Sequence, residues 1–172
     1  MQFRPAGSGD APAIAGLHAD SWRRHYRGSY PDAYLDGDVE ADRLTVWRDR
    51  LAVPDPSAAT VVAIDGGEVV GFVHTIFDDD PTWGAHVDNL HVTADRKRGG
   101  IGTGLMASAA SAVLARPQPT GLYLWVLEAN VPAQRFYASR GGVQEDEEWS
   151  DGPGGSRIHG LRYVWRDPAV LL

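Results

Sequence analysis

The sequence contains no cysteine, which excludes disulfides, a thiolate nucleophile and thiolate-ligated zinc. It also lacks a long apolar run. Met1 to Asp10 holds no hydrophobic segment of signal-peptide length, and the uncharged stretch Gly99 to Ala115 is too short and too rich in glycine and serine to span a bilayer. A cytoplasmic protein without membrane contact is expected. Positive charge is scarce: 16 Lys and Arg stand against 23 Asp and Glu, a formal charge of -7. That balance argues against a nucleic-acid partner held through phosphate contacts and favours small cationic substrates. No internal repeat or interdomain linker interrupts the chain, and no spacing of His, Asp and Glu resembles a metal site.

What is present is an ordinary globular composition. The 172 residues, 43% hydrophobic and 23% charged, suit one domain, which at this size buries about 70% of its extended-chain surface. Residues 2 to 5 read as a short strand, and Asp10 as the cap of a helix carrying Ile14, Leu17 and Trp22. Gly28 and Pro31 break that helix, and Asp38 to Leu51 makes a second, closed by Pro54 and Pro56. Ala59 to Ile64 and Val69 to Phe77 are strands joined at Asp65-Gly66-Gly67, whose glycines permit the positive φ of a tight hairpin. A strand from His86 to Val92 leads into a helical pattern from Ile101 that ends before Pro117. Leu122 to Leu127 is a further strand, followed by a helix with Asn130 as cap, Pro132 in its first turn and Gly141 at its end. Val143 to Trp149 and Arg157 to Trp165 close the chain as a hairpin about Asp151 to Gly155.

Two segments carry chemistry. The first, Asn89 to Gly104, puts Gly99, Gly100 and Gly102 and the cations Arg96, Lys97 and Arg98 at a strand-to-helix junction. Glycines there let backbone N–H groups approach a pyrophosphate, and the positive end of the helix adds charge. A P-loop would need Gly-Lys-Ser/Thr after its loop, and a dinucleotide fingerprint would need its third glycine one position later, so neither applies. The second segment, Leu127 to Gly141, sets Asn130, Ala133, Phe136, Tyr137 and Gly141 at fixed offsets.

Together these segments resemble the two signatures of the GNAT superfamily of N-acetyltransferases, a Gln/Arg-x-x-Gly-x-Gly/Ala loop and an Asn-x-x-Ala-x-x-Phe/Leu-Tyr helix. The resemblance is strongest from Val70 to Gly141. It implies an α/β (α+β) fold of order β-α-α-β-β-β-α-β-α-β-β, with a mixed, mostly antiparallel, splayed sheet of about seven strands flanked by four helices. It also implies acetyl-CoA as co-substrate and transfer of acetyl to a primary amine of a small molecule or peptide. Two departures stand out: Lys97 occupies the first position of the loop signature, and Gly142-Val143 follows the helix where relatives more often carry Gly-Phe. Lysine is a point charge without the fork of arginine, so Arg96 or Arg98 is an alternative contact for phosphate.

By the same resemblance Leu90, His91 and Val92 offer backbone groups to the pantetheine arm, Lys97, Arg98, Gly99, Gly100, Gly102 and Thr103 hold the pyrophosphate, and Asn130 contacts coenzyme A. Asn130 is equally an ordinary helix cap. Tyr137 matches the family tyrosine beside the thioester sulfur; with an ordinary pKa of about 10 against about 8.5 for a thiol, it is the general acid. For the general base, His86 and Asp88 lie two apart on one strand face, and Asp88 is favoured, with a chain of waters as the alternative. Trp22, Tyr26, Tyr30 and Tyr34 recur every four residues, a spacing that marks either a packed helical face or a pocket wall, with Trp22 and Tyr26 the acceptor-binding candidates. The sequence leaves the oligomeric state open, with a homodimer as one option because members of this family often dimerise. Other readings are a transferase using another acyl-CoA or an oxygen acceptor, and a non-catalytic coenzyme A sensor.

Overall fold

The computed structural model describes residues 1–96 and 99–172. Seven strands form one sheet: β1 (Gln2–Pro5), β2 (Ala58–Asp65), β3 (Glu68–Asp80), β4 (Gly84–Val92), β5 (Leu122–Leu127), β6 (Val143–Asp151) and β7 (Arg157–Trp165). The helices are α1 (Ala11–His25), α2 (Asp32–Asp36), α3 (Val39–Ala52), α4 (Ile101–Leu114) and α5 (Val131–Ser139). The sheet runs β1-β2-β3-β4-β5-β7-β6, antiparallel throughout except for the β4–β5 pair. This is the expected mixed, mostly antiparallel architecture, with α2 as an additional short helix.

Each layer follows from side-chain periodicity. On α4 the buried residues Ile101, Leu105, Met106, Ala109, Ala110 and Val113 recur at helical spacing and pack on one sheet face. The helix lies close because Gly71 of β3 has no side chain; a Cβ there would come within 3.1 Å of Ile101 and Leu105. The opposite face is covered by α1 and α3, where Ile14 and Trp47 are fully buried over Val62 and Phe72. The Trp47 indole meets the Phe72 ring edge to face at 5.0 Å.

The β2–β3 turn has the expected form, with Gly66 at φ 60° and Gly67 at φ 88°. Gly141, at φ 83°, ends α5 in the left-handed conformation. Below α5, a Cβ on Gly142 would lie 2.6 Å from the Trp165 ring, so Trp165 fills the space beneath the helix end. Asp10 behaves differently from a helix cap. Its carboxylate accepts two bonds from Arg4, each 2.8 Å, and one from the Gly7 N–H, and makes no cap bond to α1. A guanidinium on the neighbouring strand is a stronger donor than a helix amide and captures the acid.

The feature that matters for function lies between β4 and β5. They pair only through Ala85 with Leu122 and His86 with Tyr123, and from Val87 onward β4 has no partner on that side. Two glycines fasten the closed end. Gly84, at φ 92°, sits so near Gly121 that a Cβ would fall 2.3 Å from the Gly121 carbonyl oxygen, which accepts the Ala85 N–H at 2.9 Å. On its other edge β4 pairs with β3, but His74 faces Asn89 while Thr75 faces Val87, leaving Asp88 as the extra residue of a β-bulge.

Candidate active site

The bulge decides where the β4 side chains point. Ala85 and Val87 before it, and Leu90 and Val92 after it, all pack toward α4, while Asp88 and Asn89 turn together toward α3. There Arg50 donates from Nη1 to Asp88 Oδ2 at 2.8 Å and to Asn89 Oδ1 at 3.1 Å. His91 also faces the α1 layer, with Nδ1 2.8 Å from Ser21 Oγ and its ring centroid 4.7 Å from that of His18. Its side chain is therefore engaged, and only the backbone of Leu90, His91 and Val92 is turned to the parted strands.

At the far end of β4 the chain enters α4 through Gly100, in the left-handed region at φ 79°. Among the described residues a Cβ at Gly100 would meet nothing within 4 Å and one at Gly99 only the Arg96 carbonyl at 3.4 Å. Glycine supplies no cap, and the amides of Ile101, Gly102 and Thr103 are the first three of the helix, which have no carbonyl partner within it. Charge and geometry here suit a phosphate. Gly102 has another role, because a Cβ would press 3.2 Å from the Phe136 ring: it brings α4 and α5 together. Lys97 and Arg98, also expected at this turn, lie outside the described residues. Arg96 is turned away, donating to Asp65 at 2.8 Å.

Asn130 caps α5, its side chain accepting from the Ala133 N–H at 3.3 Å. Tyr137, one turn before the helix end, is buried among Phe136, Tyr163 and Trp165 at ring distances of 5.4 to 6.1 Å. Burial pushes its phenol well above the ordinary tyrosine range. Tyr26, which follows α1, is raised by burial and further by Tyr30, Tyr137 and Asp88.

Tyr26, Tyr30 and Asp88 line a cleft of about 360 Å³. Trp22, Tyr26 and Tyr30 form one wall, His86, Asp88 and Asn89 the floor, and Trp125 and Glu148 the wall opposite. Of the recurring aromatic residues, Tyr34 is not part of it; its hydroxyl donates to Asp42 at 2.7 Å. His86 stacks on Tyr123 at 4.7 Å, with Nδ1 3.7 Å from Asp79 Oδ2, and the Tyr123 hydroxyl donates to the same carboxylate. Burial lowers the His86 pKa, against the pull of Asp88 and Asp79.

Arg50, Asp79, Trp125 and Glu148 escaped the sequence reading. Arg50 and Asp88 are 38 residues apart, with no local pattern to join them. Trp125 was accessible in principle, since alternation along β5 puts Tyr123 and Trp125 on the face opposite Leu122 and Leu124. Among the described residues no group of three His, Cys, Asp or Glu could hold a metal, and no helix is long and apolar enough to cross a membrane.

The sequence profile of the acetyltransferase (GNAT) family matches residues 19–142. The chain is 27% identical over 139 residues to the uncharacterized N-acetyltransferase YuaI of Bacillus subtilis, a match that covers 80% of this chain and 77% of that one. Its fold is similar to a GCN5-related N-acetyltransferase from Rhodopseudomonas palustris, with a TM-score of 0.75 and 22% identity over 96% of this chain and 94% of the other. It is also similar to the PaiA N-acetyltransferase of Thermoplasma acidophilum, solved in complex with coenzyme A, with a TM-score of 0.63 and 16% identity over 94% and 98% of the two chains. Parted strands, a bare helix start, a buried tyrosine on α5 and a matching profile over most of the length lead to one conclusion: the chain belongs to the acetyltransferase (GNAT) family.

Proposed function

We propose that the protein transfers an acetyl group from acetyl-CoA to a primary amine of a small molecule or peptide by direct attack on the thioester. The observation that carries this reading is the unpaired edge of β4 from Val87 to Val92, running from the aromatic cleft to the bare start of α4. The residues fit the cofactor. The turn at Gly99 and Gly100 and the amides of Gly102 and Thr103 would hold the pyrophosphate, the Leu90 to Val92 backbone the pantetheine arm, and Asn130, the cap of α5, would contact coenzyme A as well. Lys97 and Arg98 would add charge to the same turn. Bound there, acetyl-CoA supplies an activated acyl group on a good leaving thiolate.

Tyr137 is the proton donor to the departing sulfur. Its burial keeps the phenol protonated across the physiological range, so a donor is always in place. Asp88 is the base suggested by the strand pattern, but it is committed to Arg50. His86 is the better base: it lines the cleft, burial holds it neutral, and its Nδ1 edge lies toward Asp79, a carboxylate that stabilises the imidazolium once a proton arrives. Asp88 adds negative charge near the same ring. A cytoplasmic location accords with this chemistry.

The test is thiol release from acetyl-CoA across a panel of amines. Tyr137→Phe is expected to keep acetyl-CoA affinity and to lower turnover by roughly 10²-fold, the scale for losing a general acid. An unchanged rate would remove Tyr137 from the mechanism.

A further inference from the structure

The cleft has an unbalanced wall. Asp88 is neutralised by Arg50 at 2.8 Å. Near the other walls, Arg43, whose guanidinium lies 4.6 Å over the Trp22 ring, pairs with Asp42, and Arg162 pairs with Asp146 at 3.0 Å. Glu148 is left: it lines the cleft, and among the described residues it has no ionic partner. The rings around it stay neutral, since burial raises both Tyr26 and Tyr30.

An absence sets Trp125 on the same sheet face as Glu148. Glu148 of β6 faces Gly160 of β7, and the Trp125 ring lies over Gly160, where a Cβ would approach within 3.2 Å. The ring cannot retreat freely, because the Arg162 guanidinium lies 4.4 Å from its centroid. The rings of Trp22, Tyr30 and Trp125 therefore line the same cleft as a carboxylate that has no ionic partner among the described residues. A cation there gains from both, whereas the nitrogen that attacks must be uncharged.

We infer that the acceptor is a primary amine carrying a second cationic group, held by Glu148 and the rings of Trp22, Tyr30 and Trp125 while its free amino end reaches the thioester. The inference rests on the acetyl-transfer reading above and names the acceptor class for that same site. The reaction balances: of the three protons on the reacting ammonium, one leaves through His86 to water, one returns to Tyr137 after its own proton has gone to the thiolate, and one stays on the amide. The N–C bond forms as the C–S bond breaks.

The experiment compares α,ω-diaminoalkanes of four to eight carbons with n-alkylamines of the same carbon number. The best diamine is expected to exceed its monoamine in kcat/KM by roughly tenfold or more, the combined scale of a rim ion pair and a cation–π contact. Glu148→Gln should reduce that ratio about fivefold. Gly160→Ala, which pushes Trp125 out of line, should reduce it as well while leaving acetyl-CoA affinity unaltered. A ratio near one in the unmodified protein, or a ratio that both variants leave intact, overturns the assignment. If acetyl-CoA stabilises the fold against heat but no amine is turned over, the acceptor class is refuted and the cofactor site stands. If acetyl-CoA gives no such protection, the acetyl-transfer reading itself fails.

Discussion

At the scale of single residues, His86 and Asp88 show how a fold assigns roles that a strand pattern leaves open. Alternation puts both on one strand face, yet Arg50 hydrogen-bonds Asp88 and Asn89. The groups that bear on His86 are Asp88 and Asp79, which raise its pKa, and Arg162 and Arg50, which lower it, all outweighed by burial; Tyr123 stacks on the ring. The acid limb of the kcat/KM profile is therefore expected below the ordinary histidine value of about 6.5. His86→Gln should lower the rate at pH 7 by roughly 10²-fold and abolish that limb. Asp88→Asn should move the limb further toward acid, because a charge favouring the imidazolium is gone. A limb that persists unchanged in His86→Gln would assign the proton to another group. Of the residues in this site, Asn130 and Gly100 were legible because caps and left-handed turns are written in local sequence, while the Arg50 contact depends on how α3 lies across the sheet.

At the scale of elements, the apex of the parted strands is the controlling joint. Strand and helix order was legible from hydrophobic period and from glycine and proline, and most boundaries lie within a few residues of those expected. Less visible were α2, a five-residue turn of helix between two breakers, and the extension of β3 to Asp80 through the charged run Asp78 to Asp80. Nothing local announced that β4 and β5 would pair at two positions and then separate; that depends on Gly84 and Gly121 meeting across the sheet. Gly84→Ala combines a positive φ with a 2.3 Å approach to backbone, so it is expected to destabilise the fold by about 2 kcal/mol or more. The urea midpoint measures that loss. Gly100→Ala, strained in φ alone, should cost about 1 kcal/mol. Equal effects at the two positions would show that the apex is not under steric control.

For the whole molecule, two apolar layers on either side of the sheet supply the core, and the α1–α3 layer has histidines within it. His18 is 1% exposed and accepts from the Trp47 indole N–H through Nδ1 at 3.0 Å, which fixes it as the neutral form in the fold. His74 is likewise buried, with its pKa lowered to about 4 by desolvation and Arg50. In the unfolded chain both titrate near the ordinary value of about 6.5 and take up protons that the folded chain refuses. The unfolded state then binds more protons, so stability is full above pH 6.5 and falls as pH drops from there toward 4. The slope is about 1.4 kcal/mol per pH unit for each such histidine. Urea midpoints between pH 7 and 5, followed by tryptophan fluorescence, should fall steadily, and His18→Gln should flatten the decline. A flat profile in the unmodified protein would mean that the layer admits charged imidazole.

The seam between β4 and β5 has one further consequence. Its two ends open on opposite layers, the bare helix start beside α4 and the aromatic cleft beside α1. On the acetyl-transfer reading proposed above, a passage entered from both layers would let donor and acceptor be resident together, so the acyl group would cross in a single hop, and a chain with no thiol to carry it would lose nothing by the lack.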